Sequence, residues 1–150
     1  MMRAMTLTEL ATPLQGSLIG VDREFRGVST DSRSLRDGDL FVALQGESFD
    51  GHQFLGQVAA SGAVAAVVSA PATLSLSQLK VGDTQRALGQ LGAYNRSLYA
   101  GPLVAITGSS GKTTVKNMVH SVLAQRGKTL ATRGNLNNEI GVPLTLLRLE

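Results

Sequence analysis

Leu103-Val104-Ala105-Ile106-Thr107-Gly108-Ser109-Ser110-Gly111-Lys112-Thr113-Thr114 is the stretch on which the reading of this chain turns. The apolar run reads as a strand, the two glycines as a tight turn, and Lys-Thr-Thr as the opening of a helix. Glycines at 108 and 111 let the backbone bring successive N–H groups toward a phosphate, and the first helical turn adds its partial positive charge. In that arrangement Lys112 reaches the β- and γ-phosphates and the Thr113 hydroxyl ligates Mg2+. The following residues support a helix, because Val115, Met118, Val119, Val122 and Leu123 recur at helical spacing and Gly127 suits a C-cap. The spacing is shorter than G-x-x-x-x-G-K, with Ile106 where the longer motif has its first glycine. A glycine-rich turn bearing a surface lysine is the structural alternative.

Upstream of this turn, Thr84 to Leu98 sets Ala87, Leu88, Leu91, Tyr94 and Leu98 on one helical face and stops before Gly101-Pro102, a hinge. Thr6-Leu7-Thr8-Glu9 has capping-box spacing and opens a short helix. Leu40 to Ala43 and Ala63 to Ser69 read as strands, His52 to Ser61 as a helix, and Pro71 to Ser77 as a polar loop. Downstream, Thr129 to Thr132 reads as a short strand. The expected class is α/β, divided into a small N-terminal α/β unit at 1–83, a linking helix and hinge at 84–102, and the first part of a P-loop parallel-sheet ATPase domain at 103–150. Glu139 and Glu150 are the only acidic residues beyond the turn, and neither ends an apolar strand where it could hold Mg2+. The expectation is therefore the front portion of a larger enzyme, inactive alone.

Composition narrows the classes further. With 150 residues, 43% of them hydrophobic, the chain can bury a core. Its longest apolar run, Ala63 to Val68, is far below the ~20 residues that span a bilayer, and no apolar leader precedes it, so a cytoplasmic location without membrane insertion is expected. The absence of cysteine excludes disulfides and thiolate chemistry. A net charge of +3 from 14 basic and 11 acidic residues, without a basic block, argues against a nucleic-acid surface, as do scattered aromatics at 4%.

Three further groups carry polar chemistry. Thr30-Asp31-Ser32-Arg33 precedes the first buried strand: Thr30 and Ser32 offer hydroxyls to a diphosphate or a uracil edge, and Arg33 either forks onto a phosphate or pairs with Asp31. An Asp/Ser-stabilised turn explains the same residues. Gly46 to His52 is a loop between strand and helix in which Asp50 or Gly51 suits a cap. His52 has no acid, serine or second histidine at a spacing that makes a catalytic or metal set, and it reads, like His120, as a boundary residue. Gly134-Asn135-Leu136-Asn137-Asn138-Glu139-Ile140-Gly141-Val142-Pro143 supplies amides for a nucleotide or second substrate, or else caps a turn.

Taken together, these groups resemble the Mur ligase family. Thr107 to Thr113 resembles its shortened ATP loop. Asp31-Ser32-Arg33, Gly38 to Ala43, Gly46 and Asp50-Gly51-His52 resemble its N-terminal UDP-binding domain. The run Gly134 to Leu147 points, within the family, to the member that joins D-alanyl-D-alanine to UDP-N-acetylmuramoyl-tripeptide through an acyl phosphate, in peptidoglycan precursor synthesis. The resemblance implies ATP and Mg2+ as cofactors and a monomeric enzyme. It implies ATP contacts at Gly108, Ser109, Ser110, Gly111, Lys112, Thr113, Thr114, Asn135 and Asn138, with Lys112 catalytic and Thr113 on the metal. The UDP part would meet Thr30, Ser32, Arg33, Glu47, Ser48 and Phe49. Acidic metal ligands, a carbamoylated lysine and a C-terminal domain are implied to lie outside these residues. The rival readings are the family member that adds a diamino acid, a non-catalytic UDP-binding module, and a P-loop kinase.

Overall fold

Asp39–Val42 (β5) and Ala65–Val68 (β6) are apolar almost throughout, which suits strands covered on both faces. In the computed structural model, which describes residues 2–134 and 136–150, they form the middle of a five-stranded sheet. Its order is Ser17–Ile19 (β2), Ser77–Lys80 (β7), β6, β5, Gly27–Ser29 (β4). The four strands β4 to β7 run parallel, and β2 is antiparallel to β7. A separate antiparallel pair joins Met5–Thr6 (β1) to Glu24–Phe25 (β3).

Successive side chains divide between the faces. Leu40, Val42, Ala65, Val67 and Leu79 enter a core completed by Met5, Leu7 and Leu10 on one side and Ala87, Leu88 and Leu91 on another. Phe41, Ala66 and Val68 meet Leu55 and Val58 on the opposite face. The covering elements are the short helix Leu7–Ala11 (α1), the helix Leu55–Ala60 (α2) and the long helix Thr84–Leu98 (α3). Thr6 caps α1 as its spacing predicts, accepting the Glu9 N–H at 3.2 Å. Asp83 caps α3, accepting the Arg86 N–H at 2.9 Å. The expected helix at 52–61 divides into a tight 3-10 turn, Gly51–Phe54, and α2.

Strand β7 lies largely outside the sequence expectation, which ran a polar loop to Ser77. Gln78 is only 1% exposed, yet its amide is satisfied: Oε1 accepts the Ala72 N–H at 2.9 Å and Nε2 donates to the Ala72 carbonyl at 2.7 Å. The side chain acts as a surrogate peptide group pinning the loop to the sheet, so a buried strand can carry a polar signature. In α3 the buried face runs through Asn95 rather than Leu98, which is exposed.

The segments after Pro102 depart further from expectation. Leu103–Ile106 and Thr129–Thr132 are not strands, and Leu103 and Val104 are 45% and 62% exposed. A strand exists through its ladder of backbone hydrogen bonds, and among the described residues no strand lies beside either segment. The helix Lys112–Ala124 (α4) forms, while Val115, Met118, Val122 and Leu123 remain exposed. A last helix, Gly141–Leu146 (α5), lies against α3 where Gly92 admits Pro143 and where the Asn95 amide donates to the Leu146 carbonyl at 2.8 Å. No helix among the described residues is long and apolar enough to cross a membrane.

Candidate functional site

Polar groups collect in two places. The first is the entry to α4. Gly111 caps the helix with φ 74°, a left-handed conformation that L side chains rarely adopt, and a Cβ built there meets nothing within 4 Å. The glycine therefore answers to backbone conformation and leaves the surface above it open. Ser109, Ser110, Thr113 and Thr114 are exposed around it, and Lys112 folds back so that Nζ donates to the Gly108 carbonyl. The first N–H groups of α4 have no partner within the helix, so the loop presents donors and one cation to an anion.

The Asn-rich run borders α5 instead of lying free. The Asn138 side-chain oxygen accepts the N–H of Gly141 at 2.7 Å and of Ile140 at 3.3 Å, which is the cap reading of this cluster, and only its amide nitrogen is left for a ligand. Asn135 lies outside the described residues. Asn137, Asn138 and Glu139 line one wall of a groove whose other wall is Asp83, Gln85 and Arg86 of α3.

The second place is the edge of the sheet where β4 and β5 end. Because these neighbours are parallel, the loop 30–38 and the loop 43–50 leave from the same edge, the end at which open α/β sheets collect ligands. Thr30 and Ser32 are half-buried, and neither hydroxyl has a hydrogen-bond partner among the described residues. Arg33 takes the pairing alternative. Its Nε and Nη2 donate to the two Asp31 carboxylate oxygens at 2.9 and 2.7 Å, and its own N–H donates to Oδ1 at 2.9 Å. These bonds, the guanidinium first, draw the Asp31 carboxyl down to about 2. The Arg33 side chain is nonetheless 84% exposed. Ser29 completes an Asp/Ser turn, its hydroxyl donating to the Asp31 carbonyl at 2.9 Å.

Glu47, Ser48 and Phe49 form the exposed tip of the second loop. The Gly46 N–H donates to the Phe49 carbonyl at 2.7 Å, Gln45 and Asp50 bridge below it, and Phe49 stacks on Phe54 at 5.8 Å. His52 corrects the sequence expectation: Asp50 and Ser69 both meet its ring. Nδ1 is 2.6 Å from Asp50 Oδ1, and Nε2 accepts the Ser69 N–H at 3.0 Å. Ser69 is 17 residues away and joins His52 only because β5 and β6 are adjacent and parallel. The local pair Asp50-Gly51-His52 was the one signal in the sequence that could have found it.

Comparison with known proteins places these features in context. A family model described as Mur ligase family, catalytic domain, matches residues 24–96, and one described as Mur ligase middle domain matches 106–150. The chain is 52% identical over 148 residues to the UDP-N-acetylmuramoyl-tripeptide–D-alanyl-D-alanine ligase of Escherichia coli, across 99% of this chain and 33% of the relative. It is similar in structure to MurF from Acinetobacter baumannii, with a TM-score of 0.93 and 46% identity over 99% of this chain and 34% of that one. It is also similar to MurF ligase from Thermotoga maritima in complex with ADP, with a TM-score of 0.75 and 34% identity over 81% of this chain and 29% of that one. The chain spans about a third of the length of the curated relatives it matches.

Proposed function

This chain belongs to the Mur ligase family, and from that premise we propose that it serves the ATP-driven joining of D-alanyl-D-alanine to UDP-N-acetylmuramoyl-tripeptide in peptidoglycan precursor synthesis. The observation that carries the reading is the entry to α4: left-handed Gly111, open space above it, and Lys112 folded over the Gly108 carbonyl. A triphosphate suits such an entry because its oxygens can take the free N–H groups and draw Lys112 off the carbonyl.

In this reading Gly108, Ser109, Ser110, Gly111, Lys112, Thr113 and Thr114 hold the ATP phosphates, and Asn135 and Asn138 border the nucleotide. Thr30, Ser32, Arg33, Glu47, Ser48 and Phe49 hold the UDP part at the sheet edge. Residues 1–83 are the substrate-binding unit, 84–102 the linking helix, which also closes the first core, and 103–150 the ATP-binding part. The enzyme works as a cytoplasmic monomer. Thr113 is exposed and offers its hydroxyl to Mg2+; among the described residues no cluster of three or more His, Asp or Glu side chains converges on a metal. Mg2+ held there supplies charge neutralisation on the phosphates.

The chemistry needs activation because a carboxylate is a poor electrophile. The terminal carboxylate of the tripeptide attacks the γ-phosphorus, ADP departs, and an acyl phosphate forms. The amine of D-alanyl-D-alanine then attacks the acyl carbon, phosphate leaves with the bonding pair, and the amine proton passes to solvent. Lys112 offsets charge on the transferred phosphoryl, a positioning and electrostatic role.

The test is Mg2+- and ATP-dependent phosphate release with UDP-N-acetylmuramoyl-tripeptide and D-alanyl-D-alanine, beside a control pair of the dipeptide-linked nucleotide and a diamino acid. Direct binding of the UDP-tripeptide is measured calorimetrically on the same protein. Release with the first pair alone, or saturable UDP-tripeptide binding without release, supports the reading. Release with the control pair alone, or neither release nor binding, overturns it.

A further inference from the structure

We propose that His52 is a positioning residue for the loop Glu47-Ser48-Phe49, clasping it to the exit of β6 by donating to Asp50 and accepting from the Ser69 backbone. The inference rests on the reading of that loop as part of the UDP site.

The tautomer follows from the partners. A backbone N–H can only donate, so Nε2, which receives the Ser69 N–H at 3.0 Å and the Ala70 N–H at 3.4 Å, carries the lone pair. Nδ1 therefore bears the proton and donates it to Asp50 Oδ1 at 2.6 Å. Asp50 also accepts the His52 N–H at 2.9 Å, and that backbone bond, then the ring, holds its carboxyl below the usual range. The His52 side chain is 11% exposed, so water competes poorly for either nitrogen.

The Asp50, His52 and Ser69 side chains have the order of a nucleophilic triad, with Ser69 Oγ 3.2 Å from Nε2. The lone pair that a general base needs is already committed to backbone N–H groups, so the arrangement is a fastener. What it fastens is the base of the Glu47–Phe49 tip. The chain turns back at Gly51, whose N–H donates to the Leu44 carbonyl at 2.8 Å and where a Cβ would stand 3.0 Å from Ala43 Cα. His52 follows at once and reaches across to the next parallel strand's exit. The tip is thus tied at its foot to two strands, while its own side chains stay exposed for a ligand.

Two variants separate the bonds. His52→Asn keeps a donor near the Nδ1 position for Asp50 and loses the reach to Ser69; His52→Gln places an acceptor near the Nε2 position and keeps that reach. Amide hydrogen exchange over residues 45–50 and calorimetric affinity for UDP-N-acetylmuramoyl-tripeptide are read on both, with binding of a non-hydrolysable ATP analogue as the control. We expect His52→Asn to speed exchange and weaken UDP-tripeptide affinity by about tenfold each, His52→Gln to restore both to within about threefold, and ATP-analogue affinity to hold in both. Unchanged exchange in His52→Asn, or His52→Gln as impaired as His52→Asn, overturns the clasp. Affinity unchanged while exchange follows the expected order overturns its positioning role and leaves the UDP reading standing. The expected exchange order in a chain without affinity for the UDP-tripeptide overturns the UDP reading and leaves the clasp standing.

Discussion

Replacing Asn95 by alanine removes the amide that ties the first sheet's covering helix to α5. Asn95 is 3% exposed, and its Nδ2 donates to the Leu146 carbonyl at 2.8 Å and, more weakly, to the Leu149 carbonyl at 3.3 Å. Leu146 closes α5, and its carbonyl accepts the Leu149 N–H at 3.2 Å as well as the Asn95 amide. Losing one hydrogen bond to a part-buried acceptor that keeps its other donor costs about 0.5–1.5 kcal/mol. The second, longer bond adds little, which puts the expected loss near ~1 kcal/mol. The loss is felt globally, because Leu147 at the end of α5 belongs to the same core as Leu88 and Leu91. With a urea dependence of ~2 kcal/mol per molar, the unfolding midpoint falls by about 0.5 M. Asn95→Asp adds a diagnostic of sign. Its carboxylate faces two carbonyl oxygens, so its folded pKa is raised above the unfolded value. The folded form then binds the extra proton, and the variant regains stability relative to wild type as pH falls through the folded pKa. A midpoint for Asn95→Ala within about 0.2 M of wild type, inside the extrapolation error, or no relative recovery of Asn95→Asp at acid pH, refutes the reasoning.

The Arg33 guanidinium and N–H hold the Asp31 carboxyl at about 2, below the ordinary carboxylate range, so the ion pair contributes stability present above the unfolded pKa and lost as pH falls from about 4 toward 2. Arg33→Ala should return the Asp31 midpoint, followed by NMR, toward the ordinary carboxylate value. Gly111→Ala meets no atom within 4 Å, so its cost is confined to the positive φ, about 1–2 kcal/mol. ATP-analogue affinity measured by calorimetry should fall with it, whereas affinity for the UDP-tripeptide should not. Lys112→Ala should abolish ATP-dependent phosphate release and leave UDP-tripeptide affinity nearly intact; joint loss of both in a folded variant would mean the two units do not bind separately.

Much of the first unit was legible locally. Leu40 to Ala43 and Ala63 to Val68 are continuous apolar runs, and a strand covered on both faces has no polar side to interrupt it. Thr6 caps its helix through a contact three residues on, so its signal lies in the local spacing. β7 was illegible because Gln78 is polar by composition and buried by virtue of a partner, Ala72, that only the folded loop supplies. In the candidate site, Gly108 to Thr114 could be read directly, since turn, cation and helix start are contiguous in the chain. The Asn138 cap was equally local, but its competition with a ligand role could not be decided from residue types that serve both.

What the amino-acid order determined alone were the short-range features: the Thr6 cap, the apolar strands, the glycine turn before Lys112, and the family resemblance they compose. Each depends on contacts within about one helical turn or one strand, where sequence distance and spatial distance agree. The tertiary structure decided the rest. It brought Ser69 to His52 across 17 residues and Leu146 to Asn95 across 51. It also left Leu103 to Ile106 without a ladder, because a strand needs a neighbour that no property of its own residues can provide.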